Sequence, residues 1–222
     1  MSTISSINSY DFTPLINNSQ LYSHSNLLSE NISEILEQQS SLNTISEMGS
    51  QINKIYSFVK STKNDNVIGG FKTSMFLLNN QLTGTRAIKF FKTAENLTVG
   101  NVETFASLFS SVDNLNKNGF TGVINNFMDT VNNISEKIGS DKLKNFLEIT
   151  DKLSEKLGAE NTNKASQIMF SFFNTANTLL KSSSISKENK NDLFNDLISK
   201  LSKKNTSTEI ESYLKKFREN NI

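Results

Sequence analysis

The sequence predicts an all-α protein, a multi-helix bundle of about eight or nine helices behind a disordered N-terminal segment. Three observations lead there. Apolar side chains recur in steps of three and four from Leu28 to Phe217, the spacing that lays one stripe along a helix. The stripes stop at glycines or at short runs of Ser and Asn, residues that favour turns. No stretch alternates apolar and polar residues between turn signals as a strand does.

The 222 residues divide into three expected regions: a leader at 1–26, a long amphipathic segment at 27–60 and a bundle domain at 61–222. The leader lacks helical period, and Pro14 within Asp11-Phe12-Thr13-Pro14 opposes a helix across it. Its low apolar content cannot offset the entropy of ordering. Residues 27–60 carry a stripe of Leu28, Ile32, Ile35, Leu42, Ile45, Met48, Ile52, Ile55 and Val59. Gln39 interrupts it, and the short steps there resemble a stammer in a heptad repeat, so a kink or break is expected near Ser40-Ser41. The stripe must be buried on the body or on a partner. Ile32, Ile35, Leu42, Ile45 and Ile52 are the candidate partner contacts.

Within the bundle, a polar link at Lys63 to Asn66 and the pair Gly69-Gly70 precede a stripe of Phe71, Met75, Leu78 and Leu82, with Gly84 as its stop. Ala87, Ile88, Phe91 and Ala94 mark a short helix. Asn101 is placed to cap the next one, which carries Val102, Phe105, Phe109 and Val112. Asn118-Gly119 reads as a turn. Phe120 to Ile138 and Leu143 to Leu157 follow as helices stopped by Gly139 and Gly158, with Ser140 available as a cap. The segment from Thr162, with Met169, Phe172, Phe173, Leu179 and Leu180, has the widest apolar face and is the expected central helix. Ser182 to Ser186 forms a loop, and Leu193, Phe194, Leu197, Ile198 and Leu201 form the next stripe. Thr206 and Glu209 have the spacing of a capping box ahead of Ile210, Tyr213, Leu214 and Phe217.

Composition narrows the chemistry. The formal net charge is +1 and cysteine is absent, which excludes disulfides, thiolate metal sites and cysteine nucleophiles. His24 is the single histidine, so paired Glu-x-x-His metal motifs are excluded. Asn114 to Gly119 imitates the start of a calcium loop but lacks its carboxylates, and the twelfth position is Asn125. Glu30, Glu34 and Glu37 share one helical face and read as a solvated or docking surface. No phosphate-binding glycine loop or serine elbow occurs. Lysines near Lys200, Lys203, Lys204, Lys215 and Lys216 close helices, where cations complement the dipole, and nucleic acid is not an expected partner. No apolar run reaches the roughly 20 residues of a membrane helix. No cofactor and no metal are expected.

Two resemblances bear on function. Leu82-Thr83-Gly84-Thr85-Arg86 resembles the arginine-finger loop of bacterial Rho-GAP effectors, without the proline and leucine of their Gly-Pro-Leu-Arg pattern. It would make Arg86 a candidate catalytic residue acting on a bound GTPase, and a surface arginine near a helix start is the plainer reading. The first 53 residues hold none of the 23 Lys and Arg. Met1-Ser2-Thr3-Ile4-Ser5-Ser6-Ile7-Asn8-Ser9 resembles the N-termini of substrates of type III export, injectisome or flagellar. That resemblance implies a secreted or host-translocated, effector-like protein that works by protein binding without catalysis, with an export chaperone docking on residues 27–60. The alternatives are an intracellular or phage adaptor bundle, hence cytoplasmic, and the GTPase-activating reading through Arg86.

Overall fold

The computed structural model describes residues 42–80, 84–160 and 163–222. The leader, the expected break near Ser40-Ser41 and the start at Thr162 lie outside them. Every regular element among the described residues is a helix, so the all-α class holds. Nine α-helices follow in order: α1 Leu42–Thr62, α2 Asp65–Asn80, α3 Gly84–Gly100, α4 Val102–Lys117, α5 Ile124–Lys137, α6 Leu143–Gly158, α7 Asn163–Lys181, α8 Lys187–Leu201 and α9 Ser207–Asn221. Short 3-10 turns at Thr121–Val123 and Ser140–Lys142 lead into α5 and α6.

Local chemistry sets most of the boundaries. Asn101 caps α4 by accepting from the Thr104 amide at 3.2 Å. At the other end of α4, Gly119 takes φ 83, and the Phe120 amide donates to the Leu115 carbonyl at 2.8 Å. That geometry is a Schellman closure, with Leu115 and Phe120 both buried as its apolar contact. Ser186 caps α8 through the Asn189 amide. Thr206 and Glu209 form the full capping box of α9.

Three boundaries differ from expectation. α2 begins at Asp65 and runs straight through Gly69-Gly70. A Cβ on Gly70 would overlap the Phe109 carbonyl, and one on Gly69 would overlap the Asp113 carboxylate. The two glycines therefore let α2 lie against α4 with backbone in contact, and the gain in packing outweighs their poor helix propensity. Gly84 opens α3 and does not close α2, which ends at Asn80. Ser140 makes no cap hydrogen bond, because it begins a 3-10 turn.

The core is a single apolar cluster, but its rings gather in two sets. In the first half, α1 to α4, Phe58 meets Phe105 edge-on at 4.9 Å, and Phe109 touches Phe71 at 5.8 Å and Phe90 at 6.0 Å. In the second half, α5 to α9, Phe146 stacks on Phe127 at 5.8 Å and contacts Phe172 at 5.7 Å. The expected central helix, α7, does pack on α5, α6, α8 and α9. It centres only the second half. α4, which packs on α2, α3 and α6, has the same place in the first.

The halves meet mainly along α3 against α5 and α4 against α6. Much of that seam is polar. Asn132 donates to the Arg86 carbonyl at 3.2 Å, Lys89 pairs with Glu136 at 3.0 Å, and Lys144 pairs with Glu103 at 3.1 Å.

Candidate functional site

Arg86 is not on a loop. It lies in the first turn of α3, and its guanidinium grips Asp129 on α5 with two bonds, Nε to Oδ1 at 2.7 Å and Nη2 to Oδ2 at 2.9 Å. Both side chains are about three-quarters buried, with exposures of 28% and 25%. A bidentate pair of this kind fixes geometry as well as charge, and here it joins the two halves. To reach a nucleotide, Arg86 would have to give up Asp129.

The candidate partner contacts separate. Ile32 and Ile35 lie outside the described residues, as do Glu30, Glu34, Glu37 and His24. Leu42 and Ile45 fall in the first turns of α1. Ile52 is 3% exposed, and Ile55 and Val59 beside it are equally buried. The second part of the 27–60 stripe therefore belongs to the chain's own core, and Ile52 is closed to a partner in the folded protein. The physical reason is that α1 packs on α2 and α3, which takes up the face carrying Ile52.

No group of three His, Asp or Glu side chains that could hold a metal occurs among the described residues. Asn114 to Gly119 ends α4, as described above. Several C-terminal cations have structural work. Lys200 pairs with Asp196 at 3.0 Å, Lys204 lies over the Tyr213 ring at 5.7 Å, and Lys156 donates to the Lys204 carbonyl at 2.8 Å. Burial, reinforced by the negative charge of Asp196, pushes the Tyr213 hydroxyl well above its usual range, so it stays a neutral donor at any physiological pH.

One surface stands out. The exposed large apolar side chains among the described residues are Phe76, Val99, Val102, Phe170 and Ile222. Val99 and Val102 sit together at the α3–α4 corner, 89% and 51% exposed. Beside them is an open groove of about 810 Å³ lined by Ser50, Asn53, Lys54, Ser57, Phe58, Ser61 and Thr98. The outer face of α1 forms most of it, with Thr98 of α3 on the far wall. Phe58 is held there by its edge contact with Phe105, and Lys54 on the rim is paired with Glu95 at 3.0 Å. The groove has an aromatic floor, hydroxyl walls and the Lys54–Glu95 pair on its rim, a lining suited to contact with a partner.

Sequence reasoning placed Val102 on the buried stripe with Phe105 and Phe109. It is exposed because it is the first residue of α4, beyond the reach of α1 and α3. Val99 carried a usable signal, since it lies out of phase with Ala94 and Leu97, both buried.

Comparison of the chain with protein-family models, curated proteins and solved structures finds no match. No helix among the described residues is long and apolar enough to cross a membrane.

Proposed function

We propose that this chain is an exported bacterial protein that binds a host or extracellular protein partner without catalysis, and that the α3–α4 corner makes the contact. The observation that carries the binding half is the paired exposure of Val99 and Val102 beside the Phe58 groove. Isolated exposed apolar residues are ordinary, but a pair flanking a groove marks an interaction site. The fitting partner presents an apolar side chain to the two valines and hydrogen-bonding groups to the Ser and Thr walls. The export half rests on the leader, which is rich in Ser, Thr, Ile and Asn and belongs to a 53-residue stretch without Lys or Arg. The export chaperone, in this reading, docks on residues 27–41, upstream of the part of the stripe that enters the core.

The experiment has two arms. Residues 1–30 fused to a reporter should appear outside cells with a working type III apparatus and stay inside cells lacking it; equal signal in both removes the export half. A photo-crosslinker at Val99 should trap one protein from extracts of the target cell, and Val102→Asp should abolish that adduct. An adduct that survives the substitution removes the corner as the contact. The pairing of Arg86 with Asp129 gives the GTPase-activating reading no support.

A further inference from the structure

What fills each half and what joins the halves differ in kind. The ring contacts described above stay within one half or the other. Across the seam the bonds are polar. On the α3–α5 side, Arg86 holds Asp129 through its two bonds, Asn132 donates to the Arg86 carbonyl, and Thr93 Oγ1 donates to Asn132 Oδ1 at 3.4 Å. On the α4–α6 side, Asn118 donates through Nδ2 to Ser154 Oγ at 2.8 Å. Thr104, Ser111 and Asn118 recur at steps of seven along α4 and its cap, so they share one helical face. Thr104 and Ser111 are fully buried. Thr104 Oγ1 is sealed from solvent without a hydrogen-bond partner, which penalises the closed contact.

We propose that the two halves swing apart as intact units about the link between α4 and α5, and that the Arg86–Asp129 pair is the clasp that holds them shut. One apolar cluster runs through the closed molecule, so the shut form is the resting one and the open form a minor state. The clasp suits that balance. Its bidentate geometry fixes the relative orientation of α3 and α5. Both charges regain hydration when water enters, so neither is stranded in the open form. No covalent bond changes, and closure restores every contact.

Two units of one chain that meet through a polar surface are expected to move relative to each other, because only a large apolar interface locks them. The connection leaves room for it. The chain passes between the halves once, through residues 118–123, where Gly119 holds φ 83. Nothing lies within 4 Å of a Cβ placed on Gly119 or on Gly122, so neither glycine is wedged in the core. The movement lifts α5 from α3 and α6 from α4 together, so a change at the clasp is felt on the other side of the seam. The opening is independent of what the protein binds.

The test exploits the absence of cysteine. Full chains each carry one thiol: Thr104→Cys on the seam face, Val59→Cys within the first half and Ala176→Cys within the second, all at buried positions. Modification by a thiol reagent is timed from zero urea up to the start of unfolding. A hinge opening uncovers less surface than unfolding does. The seam thiol should therefore react faster than the other two, and its rate should climb less steeply with urea. Arg86→Lys keeps the charge but not the fork. It should raise the seam rate roughly tenfold, the loss of one charge-assisted hydrogen bond. Three thiols with equal rates and equal urea slopes overturn the hinge. A seam rate unmoved by Arg86→Lys overturns the clasp. Ser111→Cys, on the same face, repeats the measurement if Thr104→Cys fails to fold.

Discussion

A methyl group on Gly70 would run into the Phe109 carbonyl, so at this residue α2 and α4 leave room for nothing larger than hydrogen. Gly70→Ala should therefore lower stability by about 1–3 kcal/mol, the usual cost of overpacking. Gly100 is the control, since nothing lies within 4 Å of a Cβ placed there. Gly100→Ala should be neutral or gain up to about 1 kcal/mol through the unfolded chain. Thermal melts of the two variants check both outcomes. From sequence, Gly69-Gly70 falls ahead of the Phe71 stripe and outside its helix, because sequence exposes propensity and hides the facing backbone. Arg86 was illegible for a similar reason. Its partner Asp129 is 43 positions away, and only the packing of α3 on α5 brings them together.

At the scale of a helix, what is local was legible. Asn101, Gly119 and the pair Thr206 and Glu209 all act where the sequence placed them, since a cap needs only residues within one turn. The α9 box also makes a prediction. Thr206→Ala should cost about 1 kcal/mol and speed hydrogen exchange at the amides of Glu209 and Ile210. Donation from the amides of Asn205 and Thr206 holds the Glu209 carboxyl below its usual range. Its contribution is thus present above the ordinary glutamate range and lost as pH falls through the folded value. Acid should therefore loosen the start of α9, while Glu209→Gln should remove that pH dependence. A flat response of the α9 amides in the parent would contradict the assignment. What the periodicity could not tell is which neighbour receives a stripe. Ile52 fits a partner-facing helix as well as a core helix, and Val102 keeps phase with buried residues yet faces solvent.

For the whole molecule, the all-α class was readable from period and turns, because it is a sum of local signals. The division into two ring-filled halves was not, since it depends on which helices pair. The helices at the middle of each half should be the last to open. Amides in α4 and α7 should exchange most slowly, and those of α8 and α9 should exchange earlier, as measured by native-state exchange with mass spectrometry. Uniform protection across the nine helices would mean that the halves unfold as one unit. Each ring set also belongs to an unbroken stretch of chain. Phe58, Phe71, Phe90, Phe91, Phe105 and Phe109 all precede α5, so a ribosome that has released residue 118 has already delivered every aromatic partner that the first set requires. The nascent protein can thus settle its leading portion before the trailing one exists, and the polar seam gives the late arrival a wettable surface to wait against.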